Sequence, residues 1–281
     1  MQTNILDAIS DHYSTLPRSG RKLADYIFTH KSETQYLSIT SLAEASKVSE
    51  ATITRFCKLL GLAGYNDLKL ALAKAEQPPV AEYPGPAPAG AGGLTSLCHQ
   101  LYHTDVTALT ETLSMVNEAQ IQEAAALLSR ARRIYCFGQG GSNVMAKEAW
   151  SLFSTASANF IHIEDSHMQA MAASLCAEQD VILFFSYSGA TKDMLDVLKP
   201  ARANGVSIIL VTHFANSPAA ALADLCLLFG PNESPLQSGS IAAKIGQLFI
   251  IDCLFHIYCQ SSDSEGNARS ATAQSTARKL L

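Results

Sequence analysis

Two short polar stretches carry the residues best suited to chemistry. Ser186-Tyr-Ser-Gly-Ala-Thr191 sets three hydroxyls at spacings of two and three around Gly189. Leading into a helix, Ser186, Ser188 and Thr191 can ring a phosphate with neutral donors and main-chain amides, and no arginine is required. Gly138-Gln-Gly-Gly-Ser-Asn143 is glycine-rich. Its backbone can approach a ligand closely, and a helix starting there offers amide hydrogens and the positive end of its dipole to an anion. The same stretch half-matches a dinucleotide fingerprint, with Glu164 and Asp165 near the place of a ribose-binding acid, but Asn143 stands where the third glycine belongs.

Proton transfer between adjacent sugar carbons would need a carboxylate or an imidazole beside the ligand. Glu233 and His213 are the candidates, and either could equally be a hydrogen-bond partner of a ligand or an exposed loop residue. His99 and His103 stand i, i+4 without an evident third ligand, so neither a metal nor another cofactor is expected. The seven cysteines are scattered with no Cys-x-x-Cys pair, which argues for reduced thiols and against a disulfide framework or a zinc site.

The elements that position the two loops follow from apolar runs. Ile134–Phe137, Phe160–Ile163, Val181–Phe185, Val206–Thr212 and Leu225–Phe229 are continuous rather than alternating, as strands buried on both faces require. Helices expected over Asn143–Ser157, Ser166–Ala177, Lys192–Asn204 and Pro218–Ala223 supply the crossovers of a parallel sheet of about five strands. A long helix over Ser240–Cys259 closes this α/β domain, and two helices over 94–117 and 118–131 precede it. The polar loops then fall at the carboxyl ends of strands, where open α/β sheets bind ligands.

Residues 1–76 show helical spacing only. Within them, Ser41 to Leu60 has the proportions of a helix-turn-helix: a short helix with Ser41 and Glu44 at capping-box spacing or Thr40 as cap, a turn at Lys47-Val48, and a helix capped by Ser49 and stopped by Gly61. Ala45, Val48, Ile53, Phe56 and Leu60 form its expected inner face. If the unit reads DNA, its second helix enters the major groove, with Ser49, Glu50, Thr52 and Arg55 at base edges and Lys58 and Lys69 on phosphates. A small helical bundle with ordinary caps would have the same spacing.

Residues 77–93 hold five of the ten prolines and four of the sixteen glycines and read as a linker between the helical domain and the α/β domain at 94–260. A polar tail follows at 261–281. The chain carries 20 basic and 25 acidic residues, but from Arg18 to Gln77 nine basic residues face six acidic ones, a distribution that points to two different partners. The most apolar run, Ile245 to Tyr258, contains Gln247, Asp252 and His256 and falls short of the ~20 residues of a membrane span. With no secretory pattern at Met1 to Asp7, a cytoplasmic protein without a membrane partner is expected.

Gly138-x-Gly140-x-Ser142 followed by Ser186-x-Ser188-Gly189-x-Thr191 resembles the SIS domain, the sugar-phosphate isomerase fold shared by ketose–aldose isomerases and bacterial regulators. Leu42-Ala43-Glu44 through Val48 to Gly61 and Gly64-Tyr65 resembles the helix-turn-helix of RpiR-family transcriptional regulators, and Ile245 to Asp252 is similar to that family's closing helix. The resemblance implies a regulator, expected to be a repressor of sugar-metabolism genes, whose effector is a phosphorylated sugar or sugar acid and whose other partner is a double-stranded operator. It implies Ser142, Ser186, Ser188 and Thr191 on the phosphate, Gly140 for close approach and Gln139 near the sugar, in a dimer or tetramer assembled through the SIS domain.

Overall fold

The computed structural model describes residues 4–76, 93–230 and 240–260. The expected linker, apart from Gly93, the expected tail, and Glu233 all lie outside the described residues. Two compact units are present, one running to Gln100 and the other starting at Leu101.

The first unit contains α1 (Ile5–His12), α2 (Arg18–Thr29), α3 (Lys31–Thr34), α4 (Ile39–Ser46), α5 (Glu50–Leu59) and α6 (Tyr65–Glu76). Its core joins Ile9, Leu23, Ile27, Leu42, Ile53, Phe56, Leu68 and Leu72, all essentially without solvent exposure. Ser38, rather than Ser41 or Thr40, caps α4: its Oγ accepts from the Ser41 amide at 2.9 Å. Leu42, Ala43 and Ser46 face inward. Ala45, expected inside, is exposed, while Val48 and Leu60 pack against the core and Ile53 and Phe56 lie within it. Ser49 caps α5 as expected, and Gly61, at φ +77°, ends it with Leu62 N–H bonded to Cys57 O at 2.9 Å.

The second unit holds β1 (Arg133–Gly138), β2 (Phe160–His162), β3 (Asp180–Phe185), β4 (Ser207–Thr212) and β5 (Leu225–Leu228) in one parallel sheet, ordered β2-β1-β3-β4-β5. With α7 (Gly93–Met115) leading in, α8 (Glu118–Arg130), α9 (Gly141–Phe153) and α12 (Ile241–Gln260) cover one face. On the other face lie α10 (Ser166–Leu175) and α11 (Lys192–Ala203). Both faces of the central strands β1, β3 and β4 are thus largely dry, which is why they read as unbroken apolar runs. The helix expected over Pro218–Ala223 is only a 3₁₀ turn at Ala220–Leu222. Phe153 of α9 packs among Phe160, Phe255 and Tyr258 in tilted and edge-on contacts, with ring centroids at 4.6, 5.1 and 5.3 Å, fixing α9 and α12 against the sheet. α12 runs six residues beyond the apolar stretch read from sequence and is long and apolar enough to span a bilayer, yet Gly246, Gln247, Ile250, Ile251, Leu254, Phe255 and Tyr258 are buried in the domain.

Candidate functional site

The strand order reverses between β1 and β3: β1 is followed in the chain by β2 on one side, and β3 then pairs on its other side. Gly138 and Phe185, the last residues of the two strands, are partners in the ladder. The two polar loops accordingly leave neighbouring strands, about 5 Å apart, at the switch point where open α/β sheets hold ligands.

On the β1 side, Gly140 adopts φ +54°, ψ −128°, a region that essentially only glycine visits, and serves as N-cap of α9. Ser142 is half-buried in the first helical turn. On the β3 side, Ser186 is buried and its Oγ accepts from the Gly189 amide at 3.2 Å, and Ser188 Oγ accepts from the Ala190 amide at 3.3 Å. Gly189 sits at φ +57°, and a Cβ there would run into the Ser217 hydroxyl. Thr191 caps α11 by position but makes no side-chain cap bond, which leaves its exposed hydroxyl beside the helix dipole. The loop is pinned to the end of β4: Thr212 Oγ1 donates to Tyr187 O at 3.1 Å, and His213 N–H donates to the same carbonyl at 3.1 Å. His213 is half-buried, its ring stacked on Tyr187 with centroids 5.2 Å apart and its Nδ1 2.7 Å from Phe229 O.

Gln169 carries no signature in the motifs. It is fully buried, and its Nε2 donates to Gly138 O at 2.9 Å and Ile163 O at 2.8 Å, holding the end of β1. The available signal was helical phase: in an otherwise small and apolar helix, Gln169 occupies the inward position four residues before the buried Ala173. The Glu164 and Asp165 carboxylates, read as possible ribose ligands, are both exposed, and Asp165 is committed to capping α10 through the Met168 amide at 2.8 Å.

In the helical unit, Ser49, Glu50, Arg55 and Lys58 are exposed and Thr52 is half-buried. Glu50 Oε1 accepts from Thr40 Oγ1 at 2.7 Å, tying the second helix to the first, and Arg55 Nε donates to Ala51 O at 3.2 Å. Lys69 is half-buried, with its Nζ 5.9 Å from the Tyr65 ring centroid, and burial lowers its pKa. It is less open to a phosphate than Lys58.

A helix-turn-helix unit joined to a parallel sheet with paired polar loops at its switch point defines a DNA-binding regulator built on a sugar-isomerase fold. Residues 3–79 match the helix-turn-helix domain of the rpiR family, and residues 127–257 match the SIS domain. The chain is 32% identical over 235 residues to the HTH-type transcriptional regulator RpiR of Escherichia coli, covering 82% of this chain and 77% of that one. It is 31% identical over 251 residues to HexR of Pseudomonas aeruginosa, with coverages of 89% and 87%. The structure of Vibrio vulnificus NanR complexed with ManNAc-6P superposes with a TM-score of 0.82 at 24% identity, over 99% of this chain and 100% of that one, and shares the fold. This chain belongs to the RpiR family of HTH-type transcriptional regulators.

Proposed function

We propose that the protein represses sugar-metabolism genes and that a phosphorylated sugar, held between the β1 and β3 loops, switches its grip on operator DNA. The observation that carries this reading is the ladder pairing of Gly138 with Phe185, which puts the loop before Ser142 and the loop of Ser186, Ser188 and Thr191 at the ends of neighbouring strands. Gly140 and Gly189 let the backbone come close, and the first turns of α9 and α11 direct amides toward the same anion. Gln139 and His213 flank the sugar portion. The relatives' names as regulators and the sugar phosphate in the NanR structure support the reading.

Operator contact falls to Ser49, Glu50, Thr52 and Arg55 at base edges, with Lys58 and, to a lesser degree, Lys69 on phosphates. One copy offers few cationic side chains, so two or more copies act together. Trp150 and Leu248, exposed apolar residues on the outer faces of α9 and α12, favour self-association through the SIS domain. The protein works in the cytoplasm as a regulator rather than an enzyme, and the His213 ring, lying flat on Tyr187, is suited to holding a ligand.

The test is the double substitution Ser188→Ala with Thr191→Ala. Operator binding in a mobility-shift titration should match the parent, while release by sugar phosphate should disappear. Loss of operator binding itself would break the assignment of the two tasks to two domains.

A further inference from the structure

In chain order α7 is the first helix after residues 77–92, so the covalent path from the SIS domain to the helix-turn-helix unit runs along it. Among its described side chains only Ala108 and Thr112, one turn apart, are buried. Thr112 is the polar anchor of that turn. Its Oγ1 shares its hydrogen between Ala108 O at 2.7 Å and Gly230 O at 3.2 Å, and accepts from the Gly230 amide at 3.2 Å. One hydroxyl thus engages both main-chain groups of the residue two positions beyond β5. The junction has no slack: a Cβ on Gly246 of α12 would strike Gly230 O and lie 2.7 Å from Thr112 Oγ1, and a Cβ on Gly230 would lie 2.8 Å from Glu111 Cβ.

From Gly230 the bonding continues to the β3 loop. The preceding residue, Phe229, donates its amide to Thr212 O at 3.2 Å, and its carbonyl lies 2.7 Å from His213 Nδ1. Thr212 Oγ1 and the His213 amide in turn both donate to Tyr187 O at 3.1 Å, and Tyr187 stands between Ser186 and Ser188. The rings follow the same route, His213 stacked on Tyr187 at 5.2 Å and Phe229 edge-on to the two at 5.9 and 6.4 Å. We infer that Thr112 is a positioning residue that couples the β3 loop to α7, so that an effector held by the loop acts on DNA binding through this hydroxyl. An anion taken up by the hydroxyls and amides of Ser186–Thr191 draws the loop's main chain toward it, and Tyr187 O is tied to β4 by two bonds. A close-packed junction passes a small displacement on rather than absorbing it. The turn of α7 that carries Thr112 is bonded at the far end of that path.

This inference rests on the effector reading proposed above, and the experiment separates the two. The full-length protein first recovers its operator duplex from a random-sequence pool. Operator affinity is then measured by fluorescence anisotropy with and without the tightest calorimetric ligand among glucose 6-phosphate, glucosamine 6-phosphate, ribose 5-phosphate and 6-phosphogluconate. In the parent the two operator affinities should differ by about 5-fold or more. Thr112→Val keeps the shape and removes the hydroxyl. It should bring that ratio to within about 2-fold of one, while ligand affinity and ligand-free operator affinity each stay within about 3-fold of the parent. Thr112→Ser restores the hydroxyl and should regain the parent ratio. A role in stability alone would lower the thermal midpoint of Thr112→Val and leave the ratio untouched. Gly246→Ala presses on the same junction from α12 and should also reduce the ratio, which decides the matter if Thr112→Val does not fold. A parent-like ratio in Thr112→Val, or in Gly246→Ala where it replaces that variant, overturns the inference, as does a ratio that Thr112→Ser fails to recover. A parent whose operator affinity responds to none of the sugar phosphates overturns the effector reading and this one with it.

Discussion

At the scale of single residues, the turn between α4 and α5 is held in a conformation its residue does not favour. Lys47 adopts φ 53°, and the Val48 amide closes the helix end on Ala43 O at 3.0 Å. A left-handed conformation costs a side-chain-bearing residue roughly 1–2 kcal/mol, and glycine escapes that cost at the expense of more chain entropy. Lys47→Gly should therefore raise the urea midpoint of the helical unit by an amount equivalent to about 0.5–1 kcal/mol; an unchanged or lower midpoint counts against it. Arg55 is exposed and hydrogen-bonds the Ala51 carbonyl of its own helix, so Arg55→Ala should leave the thermal midpoint within about 0.5 kcal/mol while weakening operator binding by about 1–3 kcal/mol. Hydroxyls and glycines could be singled out one by one because their types and spacing point to a chemistry. Gln169 was not, since a glutamine in a helix declares its role only once the helix phase and the carbonyls it meets are known.

Strands were the most legible elements. Val181 to Phe185 and Ile134 to Phe137 have no polar break, and only a strand covered on both faces makes that composition stable. Element ends were less so. Ser38, Thr40 and Ser41 are all competent caps, and three-dimensional packing of Leu42 chose the first of them. The short segment at Ala220–Leu222 between β4 and β5 makes only a 3₁₀ turn, and the Ala219 N–H before it donates to Gly189 O at 2.9 Å. One polar clamp holds the start of β3: Arg132 Nε and a terminal nitrogen bind the two Asp180 carboxylate oxygens at 3.0 and 2.9 Å, and the Ala177 amide adds a third bond at 2.9 Å. Burial pushes the Asp180 pKa up, but the Arg132 guanidinium and the Ala177 amide outweigh it and hold the carboxyl below its ordinary value. A depressed folded pKa gives stability that is complete above the unfolded value near about 4 and is lost as pH falls through the folded value. Asp180→Asn should thus destabilise the SIS domain at pH 7 by about 2 kcal/mol and flatten the fall in stability below about pH 4. Chemical denaturation across that range checks it, and a parent-like acid slope in the variant would contradict it.

For the whole molecule, the order β2-β1-β3-β4-β5 is what no single motif states. The sequence supplies two polar, glycine-containing loops, and the pairing of β1 with β3 makes them neighbours, because the chain returns across β1 after β2 to lay down β3. The fold class was readable from alternating runs and helices, and the adjacency of the two loops depended on this long-range pairing. Effector control further requires that ligand bound at this crevice favour one state of the assembly over another, by no more than its differential affinity for the two. The most direct measurement is calorimetric titration of glucosamine 6-phosphate into the parent, Ser142→Ala on the β1 loop, Ser188→Ala on the β3 loop, and the double variant. Each single change should weaken binding by about 3- to 10-fold, and the double variant should depart from the sum of the singles, as groups on one shared phosphate do. Full affinity in either single variant would contradict a cage built jointly by the two loops.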